Sequence, residues 1–302
     1  LTDEMRAANP SHLGFLDQVF TPEGNPGVTT HLAQSVRPSA DRRPVTRLFN
    51  LKTKKLEEVD AATAARASIV LPDQVRWHAG VPKPIGDKVK VVDGKGELRN
   101  DLSFASADYV IPSSGDVFAL ETNLVPFMQN DSAGRTTMSA RHMAQAISIV
   151  GREAPLVQVD SGTGKSLEAT IGSSFLAHRA PADGVVVRVG RDEITVRDAQ
   201  GKTHAVHLYD HYPTNELKGM LHSTPLVQVG SKVKSGQVVA DNNHTKNGEL
   251  ALGTNLRVAY LANGYNHEDG IVLSESAAKK LSSVHLYKPS LYTTNETKID
   301  KK

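Results

Sequence analysis

The spacing of apolar and polar positions divides the chain into strand-rich stretches around one strong helix. Between Val45 and Val59 (VTRLFNLKTKKLEEV) and between Lys88 and Asn100 (KVKVVDGKGELRN), short apolar runs alternate with charged residues. This predicts short strands, with Asp93-Gly94 as a hairpin signal. DAATAARASIV, beginning at Asp60, reads as a short helix capped by that residue. The segment NDSAGRTTMSARHMAQAISIV (Asn130–Val150) has capping residues at Asp131 and Ser132 and no Pro, and predicts the best helix of the chain. At helical spacing, Asp131, Arg135, Met138, His142 and Gln145 share one face. That face is a poor core surface and a good ligand surface, although spacing alone favours a solvated face. From Ala182 to Tyr209 the alternation returns, cut by Gly and Asp turns, as in a small antiparallel barrel, and VGSKVKSGQVVADN (Val229–Asn242) predicts a further hairpin. Apolar strands are expected again over 250–275.

The turn-rich parts lie at the ends. TPEGNPG (Thr21–Gly27) has two Pro and two Gly in seven residues and reads as a fixed loop, and the polar TTNETKIDKK (Thr293–Lys302) as a linker or cut end. The chain of 302 residues is long enough for two or three compact units. It opens on Leu, which suggests a processed, trimmed or internal piece. With no Cys, disulfides and Cys-ligated zinc or iron–sulfur sites are excluded. A formal charge of +2 gives no bulk electrostatic case for nucleic acid, so any such surface must be local. No apolar run reaches membrane-spanning length, and no membrane partner is expected.

Candidate chemistry is sparse when read from spacing alone. SGTGKS (Ser161–Ser166) fails as a phosphate loop, because Val159 stands where that loop needs its first Gly, and it reads as a Gly-rich turn. The 12 His residues form no HxxxH or HxH pair on a clear element, so no zinc is expected in this chain. VKSGQVVA lacks the attachment turn of a lipoyl-type carrier, and no Ser sits in a nucleophile elbow. The adjacent acids Glu268 and Asp269 lie between LRVAYLAN and IVLSE. They could lend one carboxylate to a hard cation held mainly by other groups. On an extended backbone adjacent side chains point to opposite sides, so a turn at a strand end is the better reading of this stretch alone.

Three blocks, in order, shift these weights. NPSHLGFLDQVFTPEGNPGV (Asn9–Val28), VPFMQNDSAGRTTMSARHMAQA (Val125–Ala146) and GELALGTNLRVAYLANGYNHEDGIVLSE (Gly248–Glu275) resemble stretches of the second-largest, bacterial β-type subunit of multisubunit DNA-dependent RNA polymerases. The resemblance spans nearly the whole chain, weakly over 35–115, and corresponds to only a middle portion of such a subunit. It implies that Arg135 contacts the phosphates of the incoming nucleotide, and that Met138 and Gln145 line the path of the RNA 3′ end. It implies that Pro22, Glu23 and Asn25 flank the RNA–DNA hybrid. Asp269, with Glu268, would stand near the second, nucleotide-borne Mg²⁺ and reach it through water, while the primary Mg²⁺ is held by another subunit.

The pattern departs from the family at Gly134 and Arg141, where Asn is expected, at Ala144 in place of Arg, and at His267 in place of Phe. Arg141 stays among the candidate nucleotide- and RNA-binding residues, with its ability to replace the Asn open. The divergence suggests a phage or other mobile element as source, hence a bacterial or infected cytoplasm, with virion packaging an option for a phage.

The expected fold is α+β, mainly β: the end of a fork-like lobe (1–30), an external β-rich lobe (31–115), and a hybrid-binding domain (116–302). The last would carry half of a double-psi β-barrel with a barrel-like antiparallel insertion at 170–245. Expected partners are the β′-type subunit, the remainder of the β-type subunit, DNA template, RNA and nucleoside triphosphates. The expected activity is nucleotidyl transfer in a multisubunit assembly. An inactive polymerase-like scaffold that binds nucleic acid or a protein is the alternative, and a self-contained phosphate-loop nucleotidase is a weaker one.

Overall fold

The computed structural model describes residues 9–21, 31–161, 164–214, 219–262, 264 and 270–287. Its contacts divide the chain into two compact units, Leu1–Gln145 and Ala146–Lys302. Both are mainly β with short helices, in line with the expected α+β, mainly-β class.

In the first unit, seven strands form one sheet: β1 (Arg37–Pro38), β2 (Pro44–Asn50), β3 (Lys55–Asp60), β4 (Ile69–Val70), β7 (Lys88–Val92), β8 (Leu98–Ser103) and β9 (Tyr109–Val110). A separate ladder pairs β5 (Val75–His78) with β6 (Val81–Pro84). In the sheet, only β4 and β9 run parallel. The hairpin predicted at Asp93-Gly94 forms, with β7 paired to β8, and the strands predicted over 45–59 pair as β2 with β3 from Val45–Asp60 to Asn50–Lys55. Neighbouring residues of one strand enter different apolar clusters. Leu48, Ile69 and Ile111 pack with Phe15 and Val59, whereas Phe49, Val70 and Val110 pack with Val89 and Val91. The sheet is therefore covered on both faces, as the two-residue strand period requires. Helix α1 (Ala61–Ala64) starts at Asp60, whose carboxylate accepts the Thr63 N–H, as the sequence predicted.

Two further helices complete this unit, α2 (Leu120–Asn123) and α3 (Ala133–Ala144). Ser132 caps α3 by accepting the Arg135 N–H, and Gln145 closes the helix by donating its N–H to Arg141 O.

The second unit holds α4 (Leu167–Ile171), a helix at Glu275–Lys280, two larger sheets and two short two-stranded ladders. The strands β11 (Gly184–Val189), β12 (Glu193–Arg197) and β13 (Thr203–His207) form the meander expected from Ala182 onward, and β17 (Lys232–Val233) extends it beside β11. The second sheet orders β10 (His178–Arg179), β18 (Val238–Asn242) and β16 (Ser223–Pro225). Val186, Ile194, Val196, Val206 and Val233 from one sheet share a core with Val239 and Ala240 of the other. All these pairings are antiparallel, and among the described residues neither sheet closes on itself.

Two expectations are corrected here. Residues 229–242 do not form a hairpin: β17 joins β11 and β18 joins β10 and β16, so the turn between them crosses from one sheet to the other. Side-chain alternation cannot tell a hairpin from such a crossing, because both bury the same apolar positions. Secondly, the apolar stretch after the short ladder of β19 (Thr245–Lys246) with β20 (Glu249–Leu250) carries no strand among its described residues 254–262 and 270–274. Its side chains stand in solvent: Val258 is 65% exposed, Tyr260 97%, Ile271 83% and Val272 73%. A strand needs a pairing edge, and none of the described residues supplies one here.

Within SGTGKS, Gly162 and Thr163 lie outside the described residues, and the flanking residues carry local hydrogen bonds. Ser161 Oγ donates to Lys165 O, and Ser166 then caps α4 by accepting the Ala169 N–H.

Candidate functional site

The residues singled out on α3 fall as the helical period demands. Thr136, Thr137 and Ala140 are buried, and Asp131, Arg135, Met138, His142 and Gln145 are all exposed. Ala140 packs with Phe20 and Ala119. Thr137 Oγ1 donates to Val19 O and to the Ala133 carbonyl of its own helix. Arg141, half-buried, donates from Nη2 to Thr21 O at 2.6 Å. Helix α3 is thus fastened at two points, Thr137 and Arg141, to the segment that runs into the Thr21–Gly27 loop.

That segment is itself held by Asp17, a fully buried carboxylate. One oxygen accepts the N–H groups of Val19 at 2.7 Å and Phe20 at 3.0 Å. The other accepts the Ala119 N–H at 2.7 Å and the Thr122 hydroxyl at 2.6 Å. A buried carboxylate must have its lone pairs satisfied, and this one is met by four donors from two separate segments. Asp17 was not among the sequence candidates. A lone Asp between apolar residues in HLGFLDQVF carries no period that separates a buried hub from a turn residue.

Arg135 is exposed, and its Nη1 lies 3.9 Å from Met138 Sδ, one turn away. Among the described residues no carboxylate lies within ion-pair distance of Arg135. The guanidinium therefore keeps its planar fork of donors free of any described acid, as an anion-binding Arg requires. Arg141 has a different environment, since one arm of its fork is already engaged by Thr21 O.

The other sequence candidates cannot be compared with these. Pro22, Glu23 and Asn25 lie outside the described residues, as do Glu268 and Asp269. The structure brings Arg135 to Met138, and Arg141 to the start of the loop.

A family model for "RNA polymerase Rpb2, domain 6" matches residues 179–302. The DNA-directed RNA polymerase subunit beta of Caldicellulosiruptor bescii is 30% identical over 296 aligned residues, which cover 94% of this chain and 23% of the relative. The same subunit of Corynebacterium efficiens is 32% identical over 293 residues, covering 94% and 24%, and that of Corynebacterium glutamicum is 31% identical over 290, also covering 94% and 24%. The chain is a homologue of part of the RNA polymerase β subunit. It spans about a quarter of the length of the curated relatives it matches.

This β-subunit homologue contains no Cys and so has no Cys-ligated zinc finger. No helix among its described residues is long and apolar enough to cross a membrane. A second cluster involves none of the motif residues. Asp210, His211 and His222 bring one ligand atom each to within 4.8 Å of one another. The search for HxxxH and HxH spacing could not find it, because its two His residues are eleven positions apart at the base of a short ladder.

Proposed function

We propose that the chain forms part of the active-centre wall of a DNA-directed RNA polymerase. There it would bind the nucleoside triphosphate, the RNA 3′ end and the RNA–DNA hybrid during transcription. The observation that carries this reading is Arg135, exposed and free of any described acid, on a helix fastened to the loop segment that the polymerase motif shares. The reaction is nucleotidyl transfer: the RNA 3′-OH attacks the α-phosphate, a new phosphodiester forms, and pyrophosphate leaves.

In this reading Arg135 offsets charge on the triphosphate, since phosphoryl transfer depends on positioning and charge neutralisation. Met138 and Gln145, both exposed on the same face, would meet the RNA 3′ end. Pro22, Glu23 and Asn25 would flank the hybrid, close in sequence to the Thr21 carbonyl that Arg141 grips. The Glu268–Asp269 carboxylates suit a hard cation in charge and donor type, and if the backbone is extended only one of two adjacent side chains can face the ion. We assign Asp269 the orienting role, through water, with the primary Mg²⁺ held by another subunit. Mg²⁺ in such a pair of sites supplies electrostatic stabilisation of the attacking and leaving oxygens.

The exposed apolar run at 258–261 and 271–273 supports a partner that completes the sheet. Val258, Tyr260, Ile271 and Val272 would acquire pairing edges from the remainder of the β-type subunit, as the second half of a double-psi barrel. In family terms 1–30 is the end of the fork-like lobe, 31–115 the external lobe, and 116–302 the hybrid-binding domain with its insertion at 170–245. The β′-type subunit, DNA template and RNA are the other proposed partners.

The experiment is nucleotide incorporation by the assembled polymerase. With Arg135→Ala we expect a raised nucleotide requirement and slower elongation, because a charge-assisted hydrogen bond to phosphate contributes roughly 1.5–3 kcal/mol. An unchanged nucleotide response removes Arg135 from this role. A second reading, an inactive polymerase-like scaffold, is motivated by Gly134 and by the capture of Arg141 by Thr21 O, which limits Arg141 as a substitute for the family Asn. Incorporation that is lost in a Glu268→Ala, Asp269→Ala assembly favours the catalytic reading. An assembly inactive with the native sequence favours the scaffold.

A further inference from the structure

The cluster at Asp210, His211 and His222 includes none of the residues assigned above. The short ladder of β14 (Tyr212–Pro213) with β15 (Met220–Leu221) pairs Tyr212 with Leu221. His211 and His222 are therefore the next pair along the same ladder, and their rings lie 4.2 Å apart at 33°. Asp210 sits between them: its Oδ1 is 2.7 Å from His211 Nδ1 and 3.5 Å from His222 Nδ1.

Three independent features mark this corner as more than an ion pair. His222 Nδ1 is buried and makes no hydrogen bond, although a buried ring nitrogen ordinarily finds a partner. His211 has φ of +51°, a left-handed backbone uncommon for a residue with a Cβ and the kind of strain that collects at ligand sites. The three side chains also line an open groove of about 620 Å³, together with Arg191, Ser223 and Thr224.

The supporting shell is ordered. The His222 N–H donates to Asn243 Oδ1, and Asn243 Nδ2 donates to Met220 O. Ser223 Oγ is bonded to His178 Nε2 at 2.8 Å and accepts the Tyr209 N–H at 2.9 Å. Both backbone segments that carry the cluster are thereby fixed, as the outer shell of a ligand site needs to be.

We propose that Asp210 Oδ1, His211 Nδ1 and His222 Nδ1 form a binding site for a divalent d-block cation of the Zn²⁺ or Co²⁺ class. The donor set is one carboxylate and two imidazoles, which suits borderline metals and not Mg²⁺. Around a tetrahedral Zn²⁺, with bonds of about 2.0–2.2 Å, neighbouring donors stand roughly 3.3–3.5 Å apart. The Asp210–His222 separation already has that value, and the Asp210–His211 contact would open by under an ångström as the metal replaces its proton. The fourth position faces the groove and takes water or an external ligand. Held there, the ion clips the base of the β14–β15 ladder to β16. Arg191 beside Asp210 and Arg152 beside His222 oppose the added charge, so the site is built for moderate affinity.

The test uses the full chain, freed of metal, titrated with Zn²⁺ and Co²⁺. The result expected is binding near one ion per chain, a visible Co²⁺ spectrum of low coordination number, and a raised melting temperature with Zn²⁺. A variant carrying Asp210→Asn, His211→Gln and His222→Gln is expected to bind at least ~10-fold more weakly and to lose the Zn²⁺-dependent rise. Its unchanged circular dichroism and metal-free melting temperature serve as the folding control, and the single variant His222→Gln replaces it if that control fails. Absence of binding by the native chain, or binding and spectrum unaltered in the variants, overturns the proposal.

Discussion

Thr122 Oγ1 donates to Asp17 Oδ2 at 2.6 Å, across 105 residues of chain. Through this bond, and the Ala119 N–H on the same oxygen, α2 is joined to the segment that supports α3. Replacing Asp17 by Ala leaves four donors facing a void, two of them from each side of the junction. We expect a loss of roughly 3–5 kcal/mol. Thr122→Val removes one donor only and should cost about 1.5–3 kcal/mol. Urea unfolding of the two variants measures both, and a cost for Asp17→Ala below that of Thr122→Val would refute the hub.

Arg141 reaches Thr21 O from the last turn of α3, and its removal should act on the loop and not on the helix. Arg141→Ala is expected to leave the helical circular dichroism unchanged and to destabilise by about 1–2 kcal/mol. Proteolysis within Pro22–Gly27 should become faster. Equal cleavage rates in the two proteins would show that the Thr137 tether suffices.

Gly184 is required by close approach. A Cβ there would stand 2.2 Å from Arg197 O and 2.8 Å from Arg197 C, backbone atoms of the neighbouring strand. Gly184→Ala must push β11 from β12, at a cost of about 1–3 kcal/mol. A melting temperature within error of the native value would mean that the bulge between Val186 and Arg188 absorbs the shift.

Glu153 gives the second unit an acid-sensitive contact. Its carboxylate accepts from Lys280 Nζ at 3.0 Å and from the Asn255 N–H and Nδ2 at 3.1 Å each. Lys280 first, then the two Asn255 donors, hold its pKa down from 4.5 to about 2. A depressed carboxyl stabilises the folded state above its ordinary value, and that contribution disappears as pH falls from 4.5 towards 2. The protection of the Asn255 amide against hydrogen exchange, taken relative to its intrinsic rate at each pH, should fall through this window, and Glu153→Gln should abolish the step. A step of the same size in the Gln variant would assign it to another group.

Much of the local structure was legible in the sequence because it follows from period and capping. The strands within 44–60, the hairpin at 88–103, the Asp60 and Ser132 caps, and the exposure of Arg135 and Met138 opposite Thr137 and Ala140 all obey rules that act within a few residues. The three motif blocks pointed to the polymerase relationship for the same reason, being contiguous.

Tertiary structure alone decided which distant groups meet. Nothing local says that Asp17 binds Ala119 and Thr122, that Arg141 grips Thr21, that β17 and β18 part into different sheets, or that Asp210, His211 and His222 converge. The physical reason is that periodicity records which side of an element is buried, whereas a buried carboxylate or an imidazole pair is specified by donors that come from elsewhere in the chain. Such partners are chosen by the packing of the sheets, after the local pattern has been satisfied.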